Sequence, residues 1–441
     1  GVTVAGPLAP GWTLRAGLAQ GRRSAVASPA DARISELEGH DKTDGSLALG
    51  WQPLPGHRVD LEHRAGSETR RADARERSGA RRYHVTENLL ERRMTTLAWE
   101  ADWAGDGAAP GLQTQLRAYH AMLDVLNVRT AGVAVNPRQR LDDRVLEGQA
   151  RHALGRHELT AGFEGRDETL QDPGFPAGRS RARHRSLYLQ DEVALARTLH
   201  LTAGLRHDRH SLFGEQWSPR AYLVWRAGGG WVLKGGYSHG FKAPNLKQIV
   251  PGARREGPNT FLGNPALQPE TSDALEVGGA WTRGGSELEL MLFEQRIEDL
   301  IEVRLVAPGA APGTGTYTYE NLQRARLRGL EASFAQRLGA GFSMRLSWTA
   351  LDARDGHGQR LERRPRHAVG ARLDWAQGDW KAGLRVDHAR DQMLPSTTVG
   401  HPAQPAPSLT TLGAYGSRAL PGGWSLDLGV DNLTDLQPAE R

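Results

Sequence analysis

The residue best placed to do chemistry in this chain is arginine. It comes in clusters: Arg22 and Arg23, Arg70 and Arg71, Arg81 and Arg82, Arg92 and Arg93, and the alternating set Arg179, Arg181, Arg183 and Arg185. A guanidinium carries a fixed charge, a planar fork of donors and a flat face that stacks on aromatic rings. Such clusters suit the capture of a large anion, or contact with phosphates of a bacterial surface. Tyr83 and His84 follow Arg81 and Arg82, which makes that segment a candidate binding loop. Arg254 and Arg255 form a second candidate, in the middle of a stretch punctuated by Pro244, Pro251, Pro258, Pro265 and Pro269. Two other patterns fail on spacing. Gly236-Tyr-Ser-His-Gly240 matches the nucleophile elbow, which needs a strand, a sharp turn and a helix, but the Phe-Lys-Ala-Pro that follows starts no helix. His207 and His210 fall on opposite faces if their segment is a strand, so they do not share a metal. The chain has no cysteine, which excludes disulfides, thiolate metal sites and thiol nucleophiles. No zincin, P-loop or dinucleotide fingerprint is present.

The elements that must position these arginines are strands. Apolar residues recur with period two, as at Trp12, Leu14, Ala16, Leu18; at Leu97, Trp99, Ala101, Trp103; at Leu199, Leu201, Ala203, Leu205; at Phe342, Met344, Leu346, Trp348; and at Trp424, Leu426, Leu428, Val430. The positions between them are mostly polar or glycine. About nineteen such segments are countable. They run to roughly 9–11 residues or more, longer than the strands of most soluble domains. The 441 residues carry a net charge of +5 and a mean hydropathy of −0.54. That is not the charge of a dedicated nucleic-acid binder. No run of 18 apolar residues exists, so no transmembrane helix is expected. Gly1 is not a natural start residue and marks a mature or excised piece.

Connections alternate in length. Short ones fall at Pro53–Gly56, Ala104–Pro110, Gly155–Arg156, Ala227–Gly230, Arg283–Gly285, Gly339–Gly341, Gln377–Asp379 and Pro421–Gly423. Long ones span about 21–43, 66–92, 123–143, 169–183, 241–272, 300–316 and 392–407. Regular alternation puts all long loops on one side, as in an up-and-down meander. Outer-membrane barrels have this form, with short turns in the periplasm and long loops outside. Trp51, Trp99, Trp103, Trp225, Trp231, Trp281, Trp375, Trp380 and Trp424 sit near short turns, where a girdle of interfacial rings is expected. A soluble sandwich needs no strands this long, and no blade-length repeat is visible.

Residues 218–276 then carry a resemblance. They read Ser218-Pro-Arg-Ala-Tyr222, Lys234-Gly-Gly-Tyr-Ser-His-Gly-Phe-Lys-Ala-Pro-Asn-Leu246, Gly263-Asn-Pro-Ala-Leu-Gln-Pro-Glu-Thr-Ser272 and Glu276. With Tyr319-Glu-Asn321, Gly329-Leu-Glu331, Arg363-Arg-Pro-Arg-His367 and Asp431-Asn-Leu-Thr-Asp435, the pattern resembles the TonB-dependent outer-membrane receptors. Within them it is most similar to ferric catecholate and colicin I receptors. The resemblance is strong over about 185–441 and only architectural over 1–184.

What the resemblance implies is an all-β transmembrane barrel of the 22-stranded type. Residues 1–441 would form its barrel domain, with the N-terminal plug, two leading strands and the last strand missing. The implied activity is uptake of a ferric siderophore, an anionic catecholate, in the outer membrane of a Gram-negative bacterium. The implied partners are the TonB–ExbB–ExbD complex, acting through the missing plug, outer-membrane lipid and bacteriocins. No nucleic acid, no enzyme activity and no resident cofactor or metal are expected, the iron chelate being cargo. Ligand contact is expected at Arg81, Arg82, Tyr83, Arg254 and Arg255. Phe241, Lys242, Pro244, Asn264, Pro265, Pro269 and Glu270 are expected mainly to shape the motif loop. Haem, cobalamin or another metal chelate is the alternative cargo, although no His stands between Pro244 and Asn264 as in haem receptors. A passive porin is the alternative mechanism.

Overall fold

A strand that must present water to one face and lipid to the other can only alternate, and the chain folds as that pattern demands. The structure, a computed structural model, describes residues 1–29, 31–76, 80–103, 111–256, 259–310, 314–394 and 403–436. The expected turn Ala104–Pro110 and Pro258 lie outside the described residues. Twenty long strands follow one another. They are β1 (Val2–Ala9), β2 (Trp12–Arg23), β3 (Gly39–Trp51), β4 (His57–Arg75), β5 (Tyr83–Trp103), β6 (Leu112–Arg129), β7 (Gln139–Leu154), β8 (His157–Gln171), β9 (Arg179–Ala196) and β10 (Leu199–His210). The second half holds β11 (Gly214–Gly228), β12 (Trp231–Lys242), β13 (Glu270–Arg283), β14 (Ser286–Pro308), β15 (Gly315–Gly339), β16 (Phe342–Asp355), β17 (His367–Gln377), β18 (Trp380–Arg390), β19 (Leu409–Leu420) and β20 (Trp424–Val430). Each pairs antiparallel with the next, forming the wall of a barrel.

That is one strand more than the period-two runs count. The signal is weakest in Val2–Ala9, where small residues and Pro7 replace large alternating side chains. Many strands also outrun the expected length, reaching 25 residues in Gly315–Gly339. Much of several expected long loops is therefore strand: β4 continues to Arg75 and β5 resumes at Tyr83. One connection on the long side is short, the 211–213 turn between β10 and β11. The opposite side keeps tight glycine turns. At Gly230, φ is +88° and a Cβ would stand 2.2 Å from the Thr282 carbonyl oxygen, so only glycine fits.

Register decides which face each residue takes, because directly opposed residues of an antiparallel pair share a face. Leu49, Leu61, Leu97, Ala118 and Leu146 form one such row across five strands. Its leucines at 61, 97 and 146 are exposed, as are Leu187, Leu189, Leu205 and Leu223 further round. This is an apolar band on the outer wall. The other face carries charge in pairs: Arg117 with Glu147 at 2.6 Å, Arg166 with Asp143 at 2.8 Å, and Arg206 with Asp208 at 3.0 Å and Glu164 at 3.2 Å. Tryptophans mark the short-turn rim, with Trp12 stacked on Trp51 and Trp99 edge-on to Trp103. Trp217 and Trp348 stand away from those turns, on the loop side of their strands.

Among the described residues, a true apolar core is packed at the loop end. Leu170, Phe175, Ala182, Leu246, Ile249 and Leu267 are buried together with Tyr319. Leu170 and Ala182 belong to the inner face of β8 and β9, so the long segment after β12 folds inward against the wall.

Candidate anion-binding site at the barrel mouth

The segment between Lys242 and Glu270 is built as a compact plate. Pro244 is buried and ends β12, since it offers no N–H to the ladder. Asn245 then caps a single helical turn, α1 (Leu246–Ile249), in a capping box with Gln248. A hairpin follows, Ala253–Glu256 against Asn259–Leu262, and its second strand lies parallel to the start of β15. Phe261 stacks on Tyr317 at 5.4 Å and on Tyr319 at 5.9 Å. Lys247 reaches Gln139 at 2.8 Å, and Gln139 donates to the fully buried Asp172 at 2.7 Å. These bonds tie the plate to the start of β7 and to the segment that follows β8.

The motif residues take their places in this plate. Asn264 donates to the Tyr319 carbonyl at 2.8 Å, and its own side-chain oxygen accepts from the Ala266 N–H. Glu270 is nearly buried, accepts from the Ile301 N–H at 2.9 Å and pairs with Lys242 at 3.1 Å. Pro269 is buried and Pro265 exposed. Phe241 is half-buried, edge-on to His184 at 6.3 Å. Asn321, from the Tyr-Glu-Asn motif, bridges Gln268 and the Asp299 carbonyl.

The two arginines of the hairpin part company. Successive side chains of a strand face opposite ways. Arg254 turns in: it is 3% exposed, and it donates to the Lys247 carbonyl at 2.9 Å and to Glu256, with Tyr319 Oη at 3.4 Å. Those groups belong to the plate itself or, for Tyr319, to β15 behind it, so Arg254 is a strut rather than an open contact. Arg255 turns out and is exposed. Its charge acts on Arg129, the last residue of β6, whose guanidinium is held below its ordinary pKa by burial first and by Arg255 second.

Arg129 is the residue that sequence reasoning misses. It lies on the inner face, in phase with Arg117 and Asn127. Its Nη1 donates to the Ala134 carbonyl at 2.6 Å, while its Nε is buried with no acceptor among the described residues. A buried cationic donor without an acceptor, close to a second cation, is expensive unless an anion completes it. The only signal in the sequence is phase along β6, and without the register that phase has no partner.

Arg81, Arg82 and Tyr83 lie on the neighbouring connection. Arg82 is engaged by Glu76, at 2.8 and 3.0 Å, and also donates to the Ala131 carbonyl at 2.8 Å. These bonds pull the Glu76 carboxyl down to about 2. Arg81 is exposed, with φ +50°, and its carbonyl accepts from Arg75. The Tyr83 hydroxyl donates to Asp31 at 2.9 Å. The guanidiniums of Arg33 and Arg75 lie 4.3 and 5.1 Å from its ring centre. Arg33 holds the Asp31 carboxyl far below the carboxylate range. Through Ala131 and Ala134 this loop and Arg129 share the 130–138 connection, so Arg82, Arg129 and Arg255 belong to one region of the mouth.

The two chemical patterns that fail on spacing also fail in three dimensions. Gly236–Gly240 lies wholly within β12, paired on both sides, with no turn at Ser238. His207 packs on Trp217 at 4.4 Å, while His210 packs on Phe213 at 5.0 Å.

Comparison with known proteins adds to this geometry. The family described as "TonB dependent receptor-like, beta-barrel" matches residues 30–433. The "Iron-regulated outer membrane virulence protein" of Vibrio cholerae serotype O1 is 27% identical over 421 residues, 90% of this chain and 62% of that protein. The "Ferric enterobactin receptor PirA" of Pseudomonas aeruginosa is 28% identical over 324 residues, 64% of this chain and 44% of that protein. The crystal structure of the siderophore receptor PirA from Pseudomonas aeruginosa superposes with a TM-score of 0.78 at 23% identity, over 99% of this chain and 73% of that one. At that identity the structural likeness speaks for the fold. The chain spans less than two thirds of the length of these curated relatives.

Proposed function

The chain belongs to the TonB-dependent receptor β-barrel family, and we propose that it takes up a ferric siderophore of the anionic catecholate class across the outer membrane. The observation that carries this reading is the pair Arg129 and Arg255. Two like charges converge at the mouth, one of them with a buried N–H that no acceptor among the described residues satisfies. A polyanion entering the mouth relieves the repulsion and accepts the orphan hydrogen bond. Charge-assisted bonds of this kind contribute about 1.5–3 kcal/mol each. Positive potential at the mouth also raises the rate of encounter with anions. Relatives named as a ferric enterobactin receptor and an iron-regulated outer-membrane protein support this cargo and this location.

The barrel residues select and hold; they make and break no bond in the cargo. The lumen below the mouth is lined by mutually paired charges, which present little net field to a passing anion. Passage is driven by the TonB complex in this proposal. Of the residues named from sequence, Arg255 is the first contact, Arg81 and Tyr83 are rim groups, and Arg254 and Arg82 position their loops.

The test is uptake of radiolabelled iron by an iron-starved host lacking its own receptors and expressing the complete gene. Ferric catecholates, hydroxamates and haem are supplied with and without TonB. TonB-dependent uptake of a catecholate, lost in Arg129→Ala, is the expected result. Uptake of haem or a hydroxamate alone, or uptake indifferent to TonB, overturns the reading.

A further inference from the structure

Given the anion-binding reading of Arg129 and Arg255, on which this rests, we propose that Gln139 is the positioning residue that fixes the gap between them, and so the breadth of anion the mouth holds. The two arginines sit on separate segments, and each is referred to the start of β7 by its own route. Arg129 ends β6 and donates to Ala134 in the 130–138 connection. Thr130 pins the near end of that connection: its N–H donates to the Val85 carbonyl at 3.0 Å, and its hydroxyl accepts from the Val85 N–H at 2.9 Å. Further on, the Asn136 N–H donates to the buried Asn127 at 3.2 Å. At the far end Arg138 and Arg140 both grip Asp124, at 3.2 and 2.9 Å. The connection therefore delivers Gln139 to a set place, on the inner face of β7 in phase with Leu141.

Arg255 arrives at the same place from the plate. Its neighbour Arg254 donates to the Lys247 carbonyl at 2.9 Å, so the hairpin hangs on α1. The Lys247 ammonium donates to Gln139 Oε1 at 2.8 Å. Gln139 Nε2 donates onward to Asp172 Oδ2 at 2.7 Å, and the Gly174 N–H donates to Asp172 Oδ1 at 2.9 Å. Asp172 is fully buried and has no ion-pair partner among the described residues. A carboxylate so placed is costly unless donors complete it. The amide of Gln139 supplies one and lies between the two charges, its oxygen toward the ammonium and its nitrogen toward the carboxylate. Both bonds need an acceptor and a donor at one side-chain tip, which glutamine has and methionine or glutamate lacks.

The strap that holds Asp172, residues 172–178, also meets the hairpin. A Cβ at Gly174 would stand 3.2 Å from Asp172 Oδ1 and 3.6 Å from Arg254 Cγ. One amide thus joins three segments: the connection that seats Arg129, the plate that carries Arg255 and the strap beside it. The other plate contacts do a different job. Asn264 and Phe261 hold its rear to β15. Apolar packing on Leu170 and Phe175 holds it down, but such packing has no direction and tolerates small slides. Hydrogen bonds are directional and set the distance.

The chain has no cysteine, so an introduced pair takes spin labels cleanly. Val135→Cys marks the connection and Ala253→Cys the hairpin; both positions are exposed. Double electron–electron resonance on the ligand-free, full-length protein in neutral detergent reads the separation. Calorimetric titration without labels reads binding of two anions of similar charge and unlike breadth, a ferric tris-catecholate complex and pyrophosphate. Gln139→Met keeps the side chain's size and removes both bonds. The expected result is a broadened label distance, tris-catecholate affinity lowered about 10-fold, and affinity for the narrower pyrophosphate changed by less than about 2-fold. Gln139→Glu alone sets two carboxylates together and behaves like Gln139→Met. Gln139→Glu with Asp172→Asn restores the chain: the carboxylate at 139 accepts from Lys247 and from the amide at 172, whose oxygen still accepts from Gly174. Label distance and the affinity ratio then return to within about 2-fold of wild type. Heat-dependent gel mobility shows that each variant is folded, and the double variant decides if Gln139→Met is not. Unchanged label distances in folded Gln139→Met, equal loss of both anions, or a double variant no better than Gln139→Glu overturns the assignment. A wild type that binds no catecholate, with label distances moving as expected, overturns the cargo reading instead and leaves the gap set by Gln139 standing.

Discussion

The lumen wall and the barrel mouth use the same residue for opposite ends. On the wall, Arg117, Arg166 and Arg206 each lie within 2.6–3.2 Å of a carboxylate on the same or a neighbouring strand. Charge is cancelled where it is made. At the mouth Arg129 and Arg255 bring two positive charges together, and neither has an ion-pair partner among the described residues; the buried Nε without an acceptor is a feature that Arg129 shares with Arg117. A paired arginine holds strands in register; an arginine kept short of a partner is available to a ligand. The difference lies in what stands across the strand, and it teaches that arginine content alone does not locate a binding site.

Mutations sharpen this contrast. The largest effect is expected from Arg129→Ala combined with Arg255→Ala. Ligand affinity falls about 100- to 1000-fold in equilibrium binding of a ferric catecholate, while unfolding of the barrel is hardly moved. Next comes the reverse case on the wall. Arg206→Ala leaves Asp208, 2% exposed, with His184 as its one ion-pair partner among the described residues. It destabilises the barrel by about 2–4 kcal/mol in urea unfolding and leaves affinity nearly unchanged. An equal loss of affinity in both variants would abolish the distinction.

Arg254→Met separates strut from contact within one hairpin. It strips the bonds to Lys247, Glu256 and Tyr319. Limited proteolysis after residue 250 should speed up by about 10-fold or more. Arg255→Met should leave the proteolysis rate unchanged and lower affinity about 10-fold. The smallest effect concerns pH. Glu76 falls from 4.5 to about 2 in the folded loop through its bonds to Arg82. A depressed carboxylate contributes stability that is full above its unfolded pKa and fades as pH drops through the folded one. The N–H groups of Glu76 and Arg82, which bond across this loop, should therefore stay protected against hydrogen exchange at pH 5 and lose protection between pH 4.5 and about 2, a dependence removed by Glu76→Gln.

The paired arginines of the sequence show how far the primary structure reaches. Arg70 and Arg71, like Arg92 and Arg93, look like doublets. Strand period splits them, so that Arg70 and Arg92 share Glu68 on the inner face while Arg71 and Arg93 face outward to Glu87 and Glu91. The alternating set 179–185 keeps one face for the same reason, and that could be read directly once the strand was recognised. The motif run from Ser218 to Glu276 marked the plate, yet it did not divide Arg254 from Arg255 into buried and exposed, because the hairpin's phase comes from its contacts with β15 and not from its own apolar pattern.

By itself the sequence determined the barrel: period-two alternation and glycine turns allow little else at this length, since each strand must satisfy lipid on one side and water on the other. It also determined that the surfaces would be rich in guanidinium. Only the tertiary structure decided which guanidiniums are neutralised. Pairing depends on register, a slip of one residue turns every side chain to the other face, and register is set jointly by all neighbouring strands. Arg129 is a candidate site residue for that reason alone: across the mouth it meets Arg255 where most inward arginines meet a carboxylate.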